Sequence, residues 1–307
     1  MKKLILTFYF FTGLWSFDSA KAERNLCSYE KIAQIPLRNI GGYIIGDFQI
    51  NGQMVSLIID TGSEGSLISL DGASRLHLPV DPGQKTIILG SKGGSKTVQN
   101  VFIRNMHIGT YNLGALSIPV GNLPQFPRIK PAISGLIGGD ILSNFDVEFS
   151  LKTGKLNLWE VNSHSLLCMV PPFWQEKGHI TDLDKKGFRV FTKVRIDQFP
   201  LEALIDSGAR SRIVALQKVK EMGIHENELA TRPGGLASSI GSKEVVYHWY
   251  QFKRFEIGGQ VEIKPTLTVS PLHDEADMLI GSDWFALNKI WISYKREKLY
   301  FINNREE

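Results

Sequence analysis

Val55-Ser56-Leu57-Ile58-Ile59-Asp60-Thr61-Gly62-Ser63 is answered 146 residues later by Leu201-Glu202-Ala203-Leu204-Ile205-Asp206-Ser207-Gly208-Ala209. Each is a short apolar run of strand length that ends abruptly in Asp, a hydroxyl residue and Gly. Working outward, Asn51-Gly52 precedes the first run and Asp197-Gln198 the second, nine residues before each aspartate. Asn-Gly is a strong two-residue hairpin signal and Asp-Gln a weaker one at the same offset.

The correspondence continues downstream. Asp71 to Leu78 and Ala215 to Met222 read as short helices, followed by glycine-bearing strand regions at 87–98 and 234–246. A second hairpin turns at Gly109-Thr110 and at Gly258-Gly259. Leu136-Ile137-Gly138 with Asp140 is matched by Leu279-Ile280-Gly281 with Asp283, 80 and 77 residues beyond the first aspartates. A last hairpin turns at Thr153-Gly154 and near Arg296. Six features in one order at near-equal spacing make the chain a duplicated β-rich unit.

The expected fold is therefore all-β with few short helices, in two lobes related by pseudo-twofold symmetry. The expected organisation is a signal peptide over 1–22, an N-terminal segment over 23–39, a lobe over 40–161, a linker over 162–185 and a second lobe over 186–307. Pro171-Pro172 and a mixed polar stretch mark that linker.

Lys2 and Lys3 precede an apolar run from Leu4 to Trp15, and Ala20-Lys21-Ala22 offers a small-x-small cleavage site. This is the anatomy of a secretory signal, too short to span a bilayer comfortably, with an uncleaved anchor as the alternative. The expected destination is the periplasm or the exterior, with no membrane insertion after cleavage. Removing Lys2, Lys3, Lys21 and Asp18 with the leader lowers the formal charge from +4 to +2. That is too little to argue for nucleic acid or an anionic membrane as partner. The histidines lack metal-ligand spacing and there is no phosphate-cradling glycine loop, so neither metal nor cofactor is expected.

Asp-Thr-Gly and Asp-Ser-Gly, in register within a duplicated fold, resemble the aspartic peptidases, both single-chain pepsins and dimeric retropepsins. The resemblance covers nearly the whole chain after the leader and includes the apolar-apolar-Gly segments ending at Gly138 and Gly281. Each half resembles a retropepsin subunit more than a pepsin lobe. It implies a fused pair of such units, an intramolecular pseudo-dimer acting as a monomer, in a bilobal acid-protease β-barrel fold. The implied activity is endopeptidase cleavage of peptide or unfolded protein, with Asp60 and Asp206 sharing one proton and activating a water. A peptide-binding module that keeps the fold without turnover is the alternative, and self-processing or one dedicated partner a third reading.

The resemblance also implies that the hydroxyls of Thr61 and Ser207 cross the seam to lock the opposite loop. Gly62 and Gly208 then let backbone approach the carboxylates, and Gly138 and Gly281 let the supporting strands pack close. Ser63 faces Ala209 in the repeat, so a Ser63 hydroxyl donated to Asp60 would make Asp60 the lower-pKa, base-like member. Asp140 and Asp283 read as helix N-caps and are left out of the site. Candidate flaps are 89–97, with Gly90, Gly93 and Gly94, and 234–243, with Gly235 and Gly241. Plain surface loops are the alternative there. Cys27 and Cys168 precede their aspartates by similar offsets of 33 and 38 residues, and a disulfide between them is expected.

Overall fold

The structure is a computed structural model that describes residues 27–89, 95–123, 127–163, 178–237 and 244–304. The first half runs β1 (Cys27–Ile40), β2 (Tyr43–Ile50), β3 (Gln53–Ile59), β4 (Leu67–Ser69), α1 (Leu70–Arg75), β5 (Val80–Leu89) and β6 (Ser95–Ile108). It continues with β7 (Tyr111–Gly121), β8 (Ile133–Ile137), α2 (Gly139–Leu142), β9 (Asp146–Ser150) and β10 (Lys155–Ser163). The second half opens with β11 (His179–Asp182), β12 (Asp184–Lys186), β13 (Arg189–Ile196), β14 (Phe199–Ile205), β15 (Ile213–Ala215), α3 (Leu216–Glu221) and α4 (Glu226–Ala230). It closes with β16 (Gly234–Ala237), β17 (Val245–Gln251), β18 (Arg254–Ile257), β19 (Gln260–Ile263), β20 (Thr266–Ser270), β21 (Met278–Ile280), α5 (Ser282–Leu287), β22 (Asn288–Ser293) and β23 (Lys298–Asn303). The two lists follow one order, with β1, β6 and β7 each split in two in the second half and α4 added there, so the protein is bilobal, strand-dominated and pseudo-twofold symmetric.

The repeat is visible in single residues. Asn51 (φ 48°) and Asp197 (φ 56°) both take the left-handed conformation that closes the β2–β3 and β13–β14 hairpins. Asn and Asp tolerate that region and carry an acceptor that can be used locally. The Asn51 side chain accepts from the amides of Arg104 and Asn105 at 3.0 and 3.1 Å. Asp197 accepts from those of Lys253 and Arg254, both at 2.8 Å. The turn residue thus also ties the hairpin to the next strand of its lobe.

What joins the lobes is a six-stranded layer in the order β11-β23-β22-β9-β10-β1, with β9 and β22 antiparallel at its centre. Lys289 pairs with Ser150 and Ser293 with Asp146 across the pseudo-axis. Phe149 and Phe285 meet edge-on beneath it, ring centres 5.0 Å apart, and both are fully buried. One apolar core runs on through Val147, Ile290 and Ile292 into both lobes.

The stretches read as N-terminal segment and linker both contain strand. β1 pairs with β10 as far as Pro36 and with β2 from Leu37 onward, passing from the shared layer into its lobe. Pro36 sits at that switch, where a missing ladder donor is tolerated. In the second half the same path is divided between β11, on β23, and β12, on β13. β11 ends its sheet and β12 pairs only with β13, and their mixed composition hid them.

Candidate active site

Asp60 and Asp206 each lie one residue past a buried strand that runs parallel to a neighbour, β3 beside β8 and β14 beside β21. The amide of Asp60 donates to Ile137 O and that of Asp206 to Ile280 O, both at 3.0 Å. These bonds end the strands identically and aim both loops at the seam. There Thr61 Oγ1 donates to Ile205 O at 2.7 Å and accepts from the Ser207 amide at 3.0 Å. Ser207 Oγ reciprocates, donating to Ile59 O at 2.7 Å and accepting from the Thr61 amide at 3.0 Å. Both side chains are fully buried. The crossing that the sequence implied for Thr61 and Ser207 is present.

The carboxylates meet at this crossing, each lying against the loop that carries the other. Gly62 donates its amide to Asp60 Oδ1 at 3.1 Å and Gly208 its own to Asp206 Oδ1 at 3.0 Å. A Cβ on Gly62 would overlap Asp206 Cγ, and one on Gly208 would overlap Asp60 Cγ. Each glycine is thus required by the opposite lobe's carboxylate. Gly138 and Gly281 serve behind the loops: a Cβ on Gly138 would fall 2.6 Å from Gly65 C and O, and one on Gly281 would overlap Ser211 O.

Asp140 and Asp283 do not cap their helices, whose N-caps are Gly138 and Gly281 with no side-chain cap bond. Asp140 Oδ1 instead accepts from the amide and hydroxyl of Ser66 at 2.9 and 2.7 Å. Asp283 accepts from the Arg212 amide at 2.7 Å and from Arg212 Nε at 2.9 Å. Ser66 and Arg212 each lie six residues beyond a seam aspartate, so these carboxylates brace the two loops. The repeated spacing held that signal, but the local helix signal was read in its place.

Glu64 and Arg210, each four residues past an aspartate, reach the other lobe's first hairpin and were not foreseen. Glu64 Oε2 accepts from the Phe188 amide at 3.0 Å. Arg210 packs on Gly42, where a Cβ would stand 2.7 Å from Arg210 Cβ, and holds its guanidinium 5.7 Å from the centre of the Tyr43 ring. Both aspartates open on a cleft of about 580 Å³ walled by Ile58, Leu136, Ile213, Tyr247, Trp249 and Leu272.

Both candidate flaps belong to hairpins. β5 pairs with β6 up to Leu89↔Ser95, and β16 with β17 up to Ala237↔Val245. Gly235 lies within β16, against the Tyr247 ring. Gly90, Gly93, Gly94 and Gly241 fall outside the described residues, as do Cys168 and the Cys27 side chain with the expected disulfide. Among the described residues, no cluster of His, Cys, Asp or Glu could hold a metal ion.

The aspartyl protease family model matches residues 47–141 and again 192–284, one match per lobe and each containing one seam aspartate. The chain belongs to the aspartyl protease family. No curated protein gives a significant match. Among solved structures, the crystal structure of basic 7S globulin from soybean is similar at a TM-score of 0.49 and 11% identity, covering 89% of this chain and 96% of that one.

Within this aspartyl protease, burial and then the adjoining charge of Asp206 push the Asp60 carboxyl well above the usual carboxylate range. Burial raises Asp206 as well, opposed by the amides of Ala209 and Gly208 and by the field of Arg189. Ala209 N reaches Asp206 Oδ1 at 3.0 Å. Ser63 Oγ turns away and donates to Gly65 O at 2.8 Å. The hydroxyl expected on Asp60 is therefore spent on Gly65 O, and both carboxyls are raised. The alanine carries no hydroxyl, but its backbone amide is the better-placed donor.

Two outcomes follow from this geometry. Thr61→Val leaves the buried Ser207 amide and Ile205 carbonyl without partners, at about 1–3 kcal/mol each. Urea unfolding should show a loss of about 2–5 kcal/mol, with most of it restored in Thr61→Ser. A carboxyl raised by folding contributes stability below its unfolded pKa that is lost as pH rises through the folded value. Asp60→Asn removes that loss, so it should melt higher than the parent at pH 7 and gain nothing near pH 3. A gain at pH 3 as large as at pH 7 would contradict the raised Asp60.

Proposed function

We propose that this protein is an exported aspartic endopeptidase that hydrolyses peptide bonds with Asp60 and Asp206. The observation that carries the proposal is the contact of the two carboxylates at the seam, each pressed against the opposite lobe's glycine. Two carboxylates in contact cannot both ionise readily, so one proton is held between them.

Asp206, the member richer in amide donors, takes the proton from a water as that water attacks the scissile carbonyl carbon. Asp60 donates its proton to the carbonyl oxygen, giving a neutral gem-diol. Collapse of that intermediate re-forms the carbonyl and breaks the C–N bond. The proton gained by Asp206 goes to the departing amine, and the gem-diol hydroxyl returns a proton to Asp60. No covalent enzyme intermediate forms. The rigidity of the crossing fixes both carboxylates before substrate arrives, so little reorganisation remains for the reaction itself.

An extended peptide fits a cleft walled by strand hairpins from both lobes, bound through main-chain hydrogen bonds. The leader-like stretch at 1–22 supports an exported site of action, in the periplasm or outside the cell. Among the described residues no helix is long and apolar enough to cross a membrane.

Incubation with unfolded casein across pH 3 to 7 tests the reading. The parent should cleave it, a statine-type peptide should inhibit, and Asp60→Asn and Asp206→Asn should each lose at least about a thousandfold in kcat, as losses of acid–base groups do. The alkaline limb of the pH profile should lie above the range of an ordinary carboxylate, because burial and the neighbouring charge hold the shared proton. Equal behaviour of parent and both variants on many substrates would favour the non-catalytic peptide-binding reading.

A further inference from the structure

The lobes differ at matching positions four residues past each seam aspartate. Glu64 is engaged by the Phe188 amide, but its counterpart Arg210 has no carboxylate within ion-pair distance among the described residues. Nearby arginines do have such partners. Arg212 holds Asp283 and Glu262, and Arg189 holds Asp274. Arg189 is also the cation whose field lowers Asp206. Arg210 stands in the wall of the same cleft, over Tyr43.

A second asymmetry lies in the cleft wall. Trp249 pairs with Thr268 in the second lobe at the register position that Asn100 and Pro119 hold in the first. Two residues before, Tyr247 stands where Val98 does. Val98 and Asn100 are buried within their lobe. Tyr247 and Trp249 face the cleft instead, ring centres 5.6 Å apart, with Trp249 46% exposed. The second lobe thus offers an apolar aromatic shelf, and the cleft also contains a guanidinium with no carboxylate partner among the described residues.

A guanidinium presents a planar fork of donors that matches a carboxylate, and stacking over an aromatic ring orients it without satisfying those donors. We infer that Arg210 selects peptides carrying Asp or Glu within a few residues of the scissile bond, alongside a bulky apolar residue held by Tyr247 and Trp249. Cleavage of such a peptide rests on the endopeptidase reading, whereas the binding preference does not.

The test uses the full chain carrying Asp60→Asn, so that binding is read without turnover. The probes are statine-centred hexapeptides in which Glu, Gln or Lys is walked through each position. One position should bind Glu about tenfold more tightly than Gln and more tightly still than Lys, the scale of one charge-assisted contact. Adding Arg210→Glu should invert the order at that position alone, and Arg210→Gln should abolish the preference. Competitive cleavage of the same series without statine by the unmodified protein should show the charge preference in kcat/KM. If no position discriminates charge, or if Arg210→Glu weakens all probes equally, Arg210 only braces Tyr43 and the inference fails. Cleavage without charge preference would sink it and leave the endopeptidase reading intact. Binding preference without cleavage would sink that reading and leave the inference standing.

Discussion

Thr61 and Ser207 each place a hydroxyl in the other lobe's backbone, and the site depends on that exchange. Four hydrogen bonds of 2.7 to 3.0 Å form within a seam from which water is excluded. In so dry a place an unmade bond is costly, so the two loops have little freedom to drift apart. The carboxylates are carried on those loops, and their contact follows from the exchange. Further out, the β9–β22 pairing and the Phe149–Phe285 contact hold the lobes in the same relation. Asp140 and Asp283 fix the far side of each loop through residues six beyond the seam aspartates.

Symmetry sets the geometry, and departures from it set the chemistry. A perfect twofold would leave the shared proton with no preferred side. Here Ala209 adds an amide to Asp206, Arg189 adds a positive field, and the Ser63 hydroxyl goes to Gly65 O. The duplicated chain thus gives its two carboxyls different surroundings while keeping both on one scaffold. The same freedom shows beside the seam, where Glu64 and Arg210 occupy matching positions with opposite charge and different contacts.

The repeat was legible because its markers are local. Asp-Thr/Ser-Gly, the hairpin residues Asn51 and Asp197, and Gly138 and Gly281 are each dictated by backbone conformation or close approach. Less legible were roles that depend on residues distant in sequence. Asp140 bonds Ser66, 74 positions away, so a local helix start was the natural but mistaken reading. Ser63 was misjudged because a hydroxyl in a sequence does not declare its acceptor, and a carbonyl two residues on was nearer to hand. β11 and β12 escaped because short strands at sheet margins lack the alternation of half-buried ones, whereas β1 alternates only over Ala33 to Leu37. Arg210 was passed over because only the folded cleft shows it over Tyr43 with no carboxylate partner among the described residues.

The central claim is that Asp60 and Asp206 act together on one substrate position between the lobes. A crystal structure of the protein with a statine-centred peptide tests it most directly. The account predicts the statine hydroxyl within hydrogen-bonding distance of both carboxylates, with the peptide extended across the seam between the β5–β6 and β16–β17 hairpins. A peptide bound to one lobe alone, or a hydroxyl touching neither aspartate, would contradict it.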